Sequence, residues 1–479
     1  MKEGYIPKEQ RKNILLLTDD IRLHSGVANV GKEIIIHSAH KYNWYNLGGA
    51  INHPELGKKF DLSDEINKLI GINDSSIKVQ PNNGYGEAQQ IREIIKNEKI
   101  DAIFLITDPR YFTWLFAIEN EIRKKTPIIY LNIWDDYPAP MYNKAYYESC
   151  DLLMGISKQT VNINKLVLGE KAKGKIIDYV PHGMNSKMFY PISKDSKEYS
   201  EVEKVRKQIT KDKDSNFILF FNSRNIRRKS IPDTLLAWKY FIDQLPEEEA
   251  KECYFVLHTE IINDAGTNLQ AVKDYLFGKD YQNIIFSNQK LSTQQLNHLY
   301  NVADAQILLS SAEGWGLSLT EALLAGTPII ANVTGGMQDQ MRFEDERNRW
   351  YTPDANIPSN HTGAYTKHGK WAFPVFPNNR SLVGSPPTPY IWDDRCRPED
   401  ATEQIMKIYQ MDSEERKEVG MTGHKWATSD EAGFTSEHMA NRVISNIEKL
   451  FDTWVPRKSY ELIKTSEVKE NVLPHKLLY

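Results

Sequence analysis

The chain has 479 residues, more than one ordinary hydrophobic core accommodates, so two or three domains are expected. A hydrophobic content of 40%, a charged content of 26% and a formal net charge of −4 fit a soluble globular protein and argue against a broadly cationic coat for nucleic acid. Cys150, Cys253 and Cys396 are far apart and in no metal-ligand spacing, so reduced, buried thiols and no metal site are expected. Met1 to Glu9 lacks the apolar core of a signal peptide, and no stretch approaches the roughly 18 apolar residues of a membrane span, so cytoplasmic residence is the expectation.

Asn13 to Thr18 is an apolar run of strand type, followed by His24-Ser-Gly-Val27 and a helical stretch from about Asn29 to His40. Ala88 to Asn97 is predicted helical, Ile100 to Ile106 a strand, and Trp114 to Lys124 a helix. Pro127 to Ile133 is a buried strand ending at Trp134-Asp135-Asp136. Asp151 to Ile156 is another, and Ser157 is placed to cap a helix over Lys158 to Leu168. Ile176 to Val180 closes the series before Pro181-His-Gly183. Strands and helices alternating at this length predict a parallel sheet covered on both faces.

Residues 196–215 are charged with hardly any apolar side chains, and are expected to be a domain linker or an exposed helix. Asp212-Lys-Asp214 lies inside that run, which argues against a metal-binding Asp-x-Asp. A second domain opens with Phe217 to Phe221, then a turn bearing Arg224, Arg227, Arg228 and Lys229, then a helix from Thr234 to Phe241. Four cations in a polar turn between strand and helix make a candidate anion cradle, since Arg offers a planar fork and Lys a mobile point charge. Cys253 to Leu257 is a strand ending at His258, Asn283 to Phe286 another, and Leu291 to Val302 a helix.

The most informative stretch runs from Ala305 to Gly336. The strand-like run Ala305 to Leu309 passes through Ser311-Ala-Glu313-Gly314-Trp315-Gly316 into a helix, Leu317 to Leu324, closed by Ala325-Gly-Thr-Pro328; Ile329 to Ala331 then leads to Gly335-Gly336. This is the grammar of a βαβ unit whose loops meet at the carboxyl edge of a sheet. Glycines there let a ligand approach the backbone, and the free N–H groups of Leu317, Ser318 and the first helical turn favour an anion. Glu313 and Glu321 flank that place.

Beyond Gly336, residues 342–395 show no clear period and are expected to be a lid or an insertion packed on the domain. Trp371, Tyr390 and Trp392 lie in it, placed either to stack on a base or sugar or, more simply, to pack the insertion down. Glu399 to Tyr409, Ser413 to Met421 and Thr435 to Trp454 are predicted helices.

The Glu313-x7-Glu321 spacing, the Ala-Gly-Thr-Pro turn and the Gly pair resemble the retaining GT-B glycosyltransferases of family 4. Ser25 to Val27, Ile156 to Thr160, Val180 to Pro191 and Arg224-x4-Lys229 are similar to that family's other passages, in the same order. Two departures are Trp134, where many members carry His, and Gln338-Asp-Gln340 in place of an acidic turn. The resemblance implies an α/β fold of two Rossmann-like, doubly wound parallel-sheet domains facing a central cleft. Expected bounds are 1–195 for an acceptor-side domain joined by the tail 453–479, and 216–452 for a nucleotide-sugar domain. It implies a nucleotide-diphosphate sugar as donor substrate, with no tightly bound cofactor and no metal. Arg224 and Lys229 would hold the diphosphate, with Glu313 at the donor sugar. Glu321 would bind the ribose, and Gly314, Trp315, Gly316, Leu317, Ser318, Gly26, Val27 and His258 would line the nucleotide. Asp135, Asp136 and His24 are acceptor-side candidates.

The implied activity is retaining transfer to a hydroxyl of a glycan, small molecule or protein. Two alternatives stay open: transfer to hydroxylated pyrimidines of viral DNA, which the Lys- and Arg-bearing first half permits, and a nucleotide-sugar-binding protein without catalysis.

Overall fold

The computed structural model describes residues 4–353 and 360–458. Among these, the first sheet has the strands β1 (Lys12–Asp19), β2 (Tyr42–Ala50), β3 (Phe60–Asp61), β4 (Ile77–Asn83), β5 (Ala102–Ile106), β6 (Ile128–Asn132), β7 (Leu152–Gly155) and β8 (Ile176–Tyr179). They lie in the order β3-β4-β2-β1-β5-β6-β7-β8, parallel throughout except for the short antiparallel β3. Helices cover both faces, which is why Ile14 to Leu17, Ala102 to Ile106 and Ile128 to Leu131 are continuous apolar runs with no exposed face.

The second sheet has β9 (Phe217–Asn222), β10 (Cys253–His258), β11 (Ile284–Ser287), β12 (Ala305–Leu308), β13 (Ile329–Asn332) and β14 (Ala372–Val375), in the order β11-β10-β9-β12-β13-β14 and all parallel. An antiparallel hairpin, β15 (Asn379–Ser385) with β16 (Thr388–Arg395), follows it. In each sheet the first strand sits between neighbours reached by opposite crossovers: β1 between β2 and β5, β9 between β10 and β12. That is the topological switch point, and it opens a crevice at the carboxyl ends of β1 and β9. The molecule is therefore two doubly wound α/β domains whose carboxyl edges face each other, the GT-B arrangement.

Three regions differ from the reading of the chain. Residues 199–210 of the expected linker form a helix packed against the Thr293–Val302 helix of the second domain. Val202 and Ile209 give it a buried stripe too sparse to stand out in the charge run. The expected insertion 342–395 contains β14, a strand of the sheet, and the hairpin; residues 354–359 of it lie outside the described residues. The expected boundary at 452 falls inside the Ser436–Thr453 helix, which packs on the Gly26–Ser38 helix and on β7 and β8 of the first domain. Its face of Met439, Ala440, Val443, Ile444, Ile447 and Leu450 is buried there. The crossing back thus comes at 428–435, and residues 459–479 of the expected tail lie outside the described residues.

Candidate active site

Four loops at the facing carboxyl edges converge. Behind β12, the backbone turns at Gly316, whose φ of +88° lies in the left-handed region, and enters the Leu317–Ala325 helix. Behind β13, the Gly335-Gly336 turn lies directly on this loop. The Gly336 amide donates to the Glu313 carbonyl at 3.0 Å, and a Cβ on Gly336 would overlap the Gly314 carbonyl oxygen. Behind β9, the cation turn meets the same loop, the Ser311 amide donating to the Arg228 carbonyl at 2.7 Å. From the first domain, Gly26 opens its helix 3.0 Å, measured at a would-be Cβ, from Leu317 Cδ1.

The centre of this convergence is an ion cluster. Glu313 is buried, and its Oε2 accepts from Arg228 Nη1 at 2.8 Å and from the Lys229 ammonium. Burial works to raise the Glu313 carboxyl, but Arg228 and Lys229 outweigh it and hold it down to about 2, so it is ionised at any physiological pH. Arg228 also donates to the Ala312 carbonyl at 2.6 Å. Asp135 joins from the first domain: its Oδ1 accepts the Gly314 amide at 3.0 Å, and its Oδ2 lies 3.9 Å from Arg228 Nε. Burial raises the Asp135 carboxyl, with Arg228 pulling the other way.

Glu321 stands apart on the same helix, where Tyr300 Oη (2.6 Å) and Asn222 Nδ2 (3.1 Å) donate to its Oε2. Burial raises it to about 7, Tyr300 and Asn222 working the other way. His258 lies beside Asn222 in the β9–β10 register, its Nδ1 3.1 Å from Ser287 Oγ. Glu321, Asn222 and His258 thus make a polar row at the carboxyl edge of the sheet.

The other sequence candidates fall as follows. Lys229 and Glu313 meet directly. Arg224 is at the same edge, exposed and without a side-chain partner among the described residues. Arg228, which the sequence offered only as an extra cation, sits in the cluster instead; its adjacency to Lys229 in a single turn was the available signal. Trp315 is a correction: its ring is buried, edge-on to Phe434, with Nε1 donating to Thr320 Oγ1, so only its backbone is left for a ligand. Asp136 is another: it is fully buried against the second domain, accepting from the Tyr137 amide, Gln159 Nε2 (2.7 Å) and Thr334 Oγ1 (3.3 Å). Burial, with Asp394 adding, raises the Asp136 carboxyl, and its partners Gln159 and Thr334 place it in the contact between the domains. His24 is exposed in the loop before Gly26, and Val27 is half-buried against the core. The family's acidic turn is replaced by Gln338-Asp339-Gln340, which has other work. Asp339 accepts the Lys158 amide at 2.9 Å across the domains, and Gln340 Nε2 donates to the Trp315 carbonyl at 2.7 Å.

Among the described residues no group of three His, Cys, Asp or Glu side chains is spaced to hold a metal ion, and no helix is long and apolar enough to cross a membrane.

With this geometry in place, the likenesses to known proteins are informative. No curated protein matches the chain in sequence. HepE of Anabaena, solved with UDP and glucose, superposes with a TM-score of 0.61 at 13% identity, covering 92% of this chain and 100% of that one. Sucrose-phosphate synthase from Thermosynechococcus elongatus gives 0.63 at 15%, again over 92% and 100%. The E. coli trehalose-6-phosphate structure bound with UDP-2-fluoro glucose gives 0.62 at 12%, over 93% and 100%. At such identities the likeness speaks for the fold. Residues 201–357, which hold the cation turn, the Glu313 loop and Glu321, match the family described as Glycosyl transferases group 1, so this part of the chain is similar to that family, within a fold of the GT-B type.

Proposed function

We propose that the protein moves a sugar from a nucleotide-diphosphate sugar to an acceptor hydroxyl with retention of configuration and without a metal. The observation that carries this reading is the pairing of Lys229 and Arg228 with Glu313 at the mouth of the Leu317–Ala325 helix, with Arg224 exposed in the same turn and, among the described residues, without a side-chain partner. Cations from one turn and amide dipoles from another suit a diphosphate, the group that must leave as charge develops on the sugar ring. Glu321 would take the ribose hydroxyls and the His258 side the base; solved neighbours with this fold hold UDP, which makes UDP the first nucleotide to try.

In the transfer, the bond from the anomeric carbon to the phosphate oxygen breaks and a bond to the acceptor oxygen forms on the same face. The acceptor proton passes to the departing phosphate oxygen. Glu313, ionised and held by two cations, accepts hydrogen bonds from sugar hydroxyls and is not a nucleophile. Its partners set the order of events: Lys229 turns from Glu313 to the diphosphate as the donor enters.

A thermal-shift panel of UDP, UDP-glucose and other sugar nucleotides tests the reading. A donor at about 100 times its dissociation constant stabilises the fold by about 2.7 kcal/mol. Proton NMR of the product then reports the anomeric configuration. An inverted product removes the retaining assignment, and a flat panel removes the donor.

A further inference from the structure

The β15–β16 hairpin takes no part in the donor site described above, yet it is tied into both domains. At its root, the Asp394 amide donates to the Ser311 carbonyl at 2.8 Å, the Ser311 hydroxyl bonds Asp393, and Asn332 Nδ2 donates to the Asp394 carbonyl at 2.8 Å. The hairpin therefore grows out of the loop that carries Glu313. Its far part is bonded to the first domain: the Trp392 amide donates to the Tyr137 carbonyl at 2.7 Å and Tyr142 Oη to the Tyr390 carbonyl at 3.0 Å. The Tyr142 and Tyr390 rings meet edge-on, and Arg110 bonds the Thr388 hydroxyl.

Under this arch is a cavity of ≈ 460 Å³. Trp134 and Arg110 of the first domain form one side, Val383 and Trp392 of the hairpin another, and Arg227 and Arg228 a third. Asp135, at its inner end, connects it to the Glu313 cluster. Its volume falls within the roughly 300–1,000 Å³ of small-molecule sites, with room for one or two sugar rings. Its charge decides between acceptors. Three carboxylates (Asp108, Asp135, Asp393) and three guanidinium groups (Arg110, Arg227, Arg228) line it. A wall that sums to zero offers nothing to the phosphate backbone of a nucleic acid, whose binding is dominated by cations. Indoles interleaved with carboxylates and guanidinium groups do suit a ring with apolar C–H faces and a rim of hydroxyls.

We propose that this cavity is the acceptor site, and that the Asn379–Arg395 hairpin selects a neutral saccharide of one or two rings. The proposal rests on the donor reading above. It assigns to the hairpin the choice of acceptor and leaves donor recognition to the group 1 domain.

The test uses the full chain with UDP bound and two probes, maltose and a duplex containing 5-hydroxymethylcytosine, each followed by saturation-transfer NMR and by transfer from UDP-glucose. Ser385→Trp fills the cavity from an exposed position on the hairpin, and Trp392→Ala removes an indole wall. The expected result is maltose bound by the wild type, weakened at least tenfold in both variants, with the UDP dissociation constant unchanged within twofold and the melting temperature of Ser385→Trp unchanged. UDP binding without maltose binding, transfer to the duplex alone, or maltose binding indifferent to both substitutions overturns the proposal. Failure of the wild type to bind any nucleotide instead defeats the donor reading, and this one with it.

Discussion

Replacing Glu313 with Gln leaves Lys229 buried with its counterion removed, because among the described residues Lys229 has no other ion-pair partner. The Glu313 carboxyl is held from its ordinary 4.5 down to about 2. A shift of that size corresponds to about 3 kcal/mol of stability. Breaking a buried pair by removing one member costs a similar amount, about 3–5 kcal/mol. On a domain of this size Glu313→Gln should lower the unliganded melting temperature by roughly 6–12 °C at pH 7. The sign with pH follows from the depressed value: the stabilisation is complete above 4.5 and lost as pH falls toward 2, so the gap between wild type and variant narrows over that window. The same variant should bind UDP more tightly, since the diphosphate no longer competes with a carboxylate for Lys229. A charge-assisted hydrogen bond made available is worth about 1.5–3 kcal/mol, or roughly a 10- to 100-fold lower dissociation constant by calorimetry. Transfer should nonetheless fall, the sugar hydroxyls meeting a neutral amide oxygen in place of a charged carboxylate, a weaker acceptor. UDP affinity equal to or weaker than that of the wild type would refute the idea that Lys229 exchanges partners.

Three further expectations can be measured directly. Glu321 titrates near 7 through burial, so it is increasingly protonated below that pH and a poorer acceptor for ribose hydroxyls; UDP-glucose affinity should fall up to about tenfold from pH 8 to pH 6, and Glu321→Gln should flatten the profile. Because ionising this carboxyl costs the folded state as pH climbs from 4.5 through 7, Glu321→Gln should also gain stability relative to the wild type at pH 8. In Gly336→Ala the new methyl meets the backbone of the facing loop, overlapping the Gly314 carbonyl oxygen with the Trp315 Cα at 2.9 Å. A stability loss of about 1–3 kcal/mol and at least tenfold weaker UDP binding are expected; unchanged values would mean the two glycine loops are not in register. Asp339→Ala removes the acceptor that the second domain supplies to the Lys158–Leu168 helix, costing about 1 kcal/mol in urea unfolding, while Asp339→Asn keeps an acceptor and should be near neutral.

The second domain was legible because its elements are local: strand, glycine loop and helix lie within one βαβ unit, and the residues that meet at its carboxyl edge are contiguous in the chain. The first domain was less so. β2 and β4 went unrecognised because β2 carries Asn46 and two glycines where an apolar run is expected. Asn46 is fully buried but satisfied, its Oδ1 accepting the Ile21 amide and its Nδ2 donating to the Leu16 carbonyl. The choice of Arg228 over Arg224 as the partner of Glu313 depends on how a single helical turn, Arg227–Lys229, aims its side chains, which spacing does not encode. Trp315 looked available beside two glycines, but its ring is drawn inward by Phe434, more than a hundred residues away in the chain. Asp136 and the hairpin owe their places to contacts across the domains, and no local pattern announces those.

The polypeptide passes between the domains twice, and the two passages are fastened together. The Met184 amide donates to the Phe434 carbonyl at 3.0 Å and the Ser436 amide to the Met184 carbonyl at 2.9 Å, while any side chain at Gly183 would strike the Thr435 backbone. A lone tether would let one lobe swivel freely about the other. Two tethers bonded side by side act as a pintle, leaving a single swing about their common line. If the proposed donor cleft opens about that common line, Gly26 and Leu317, now in close approach, would part and return in one alignment.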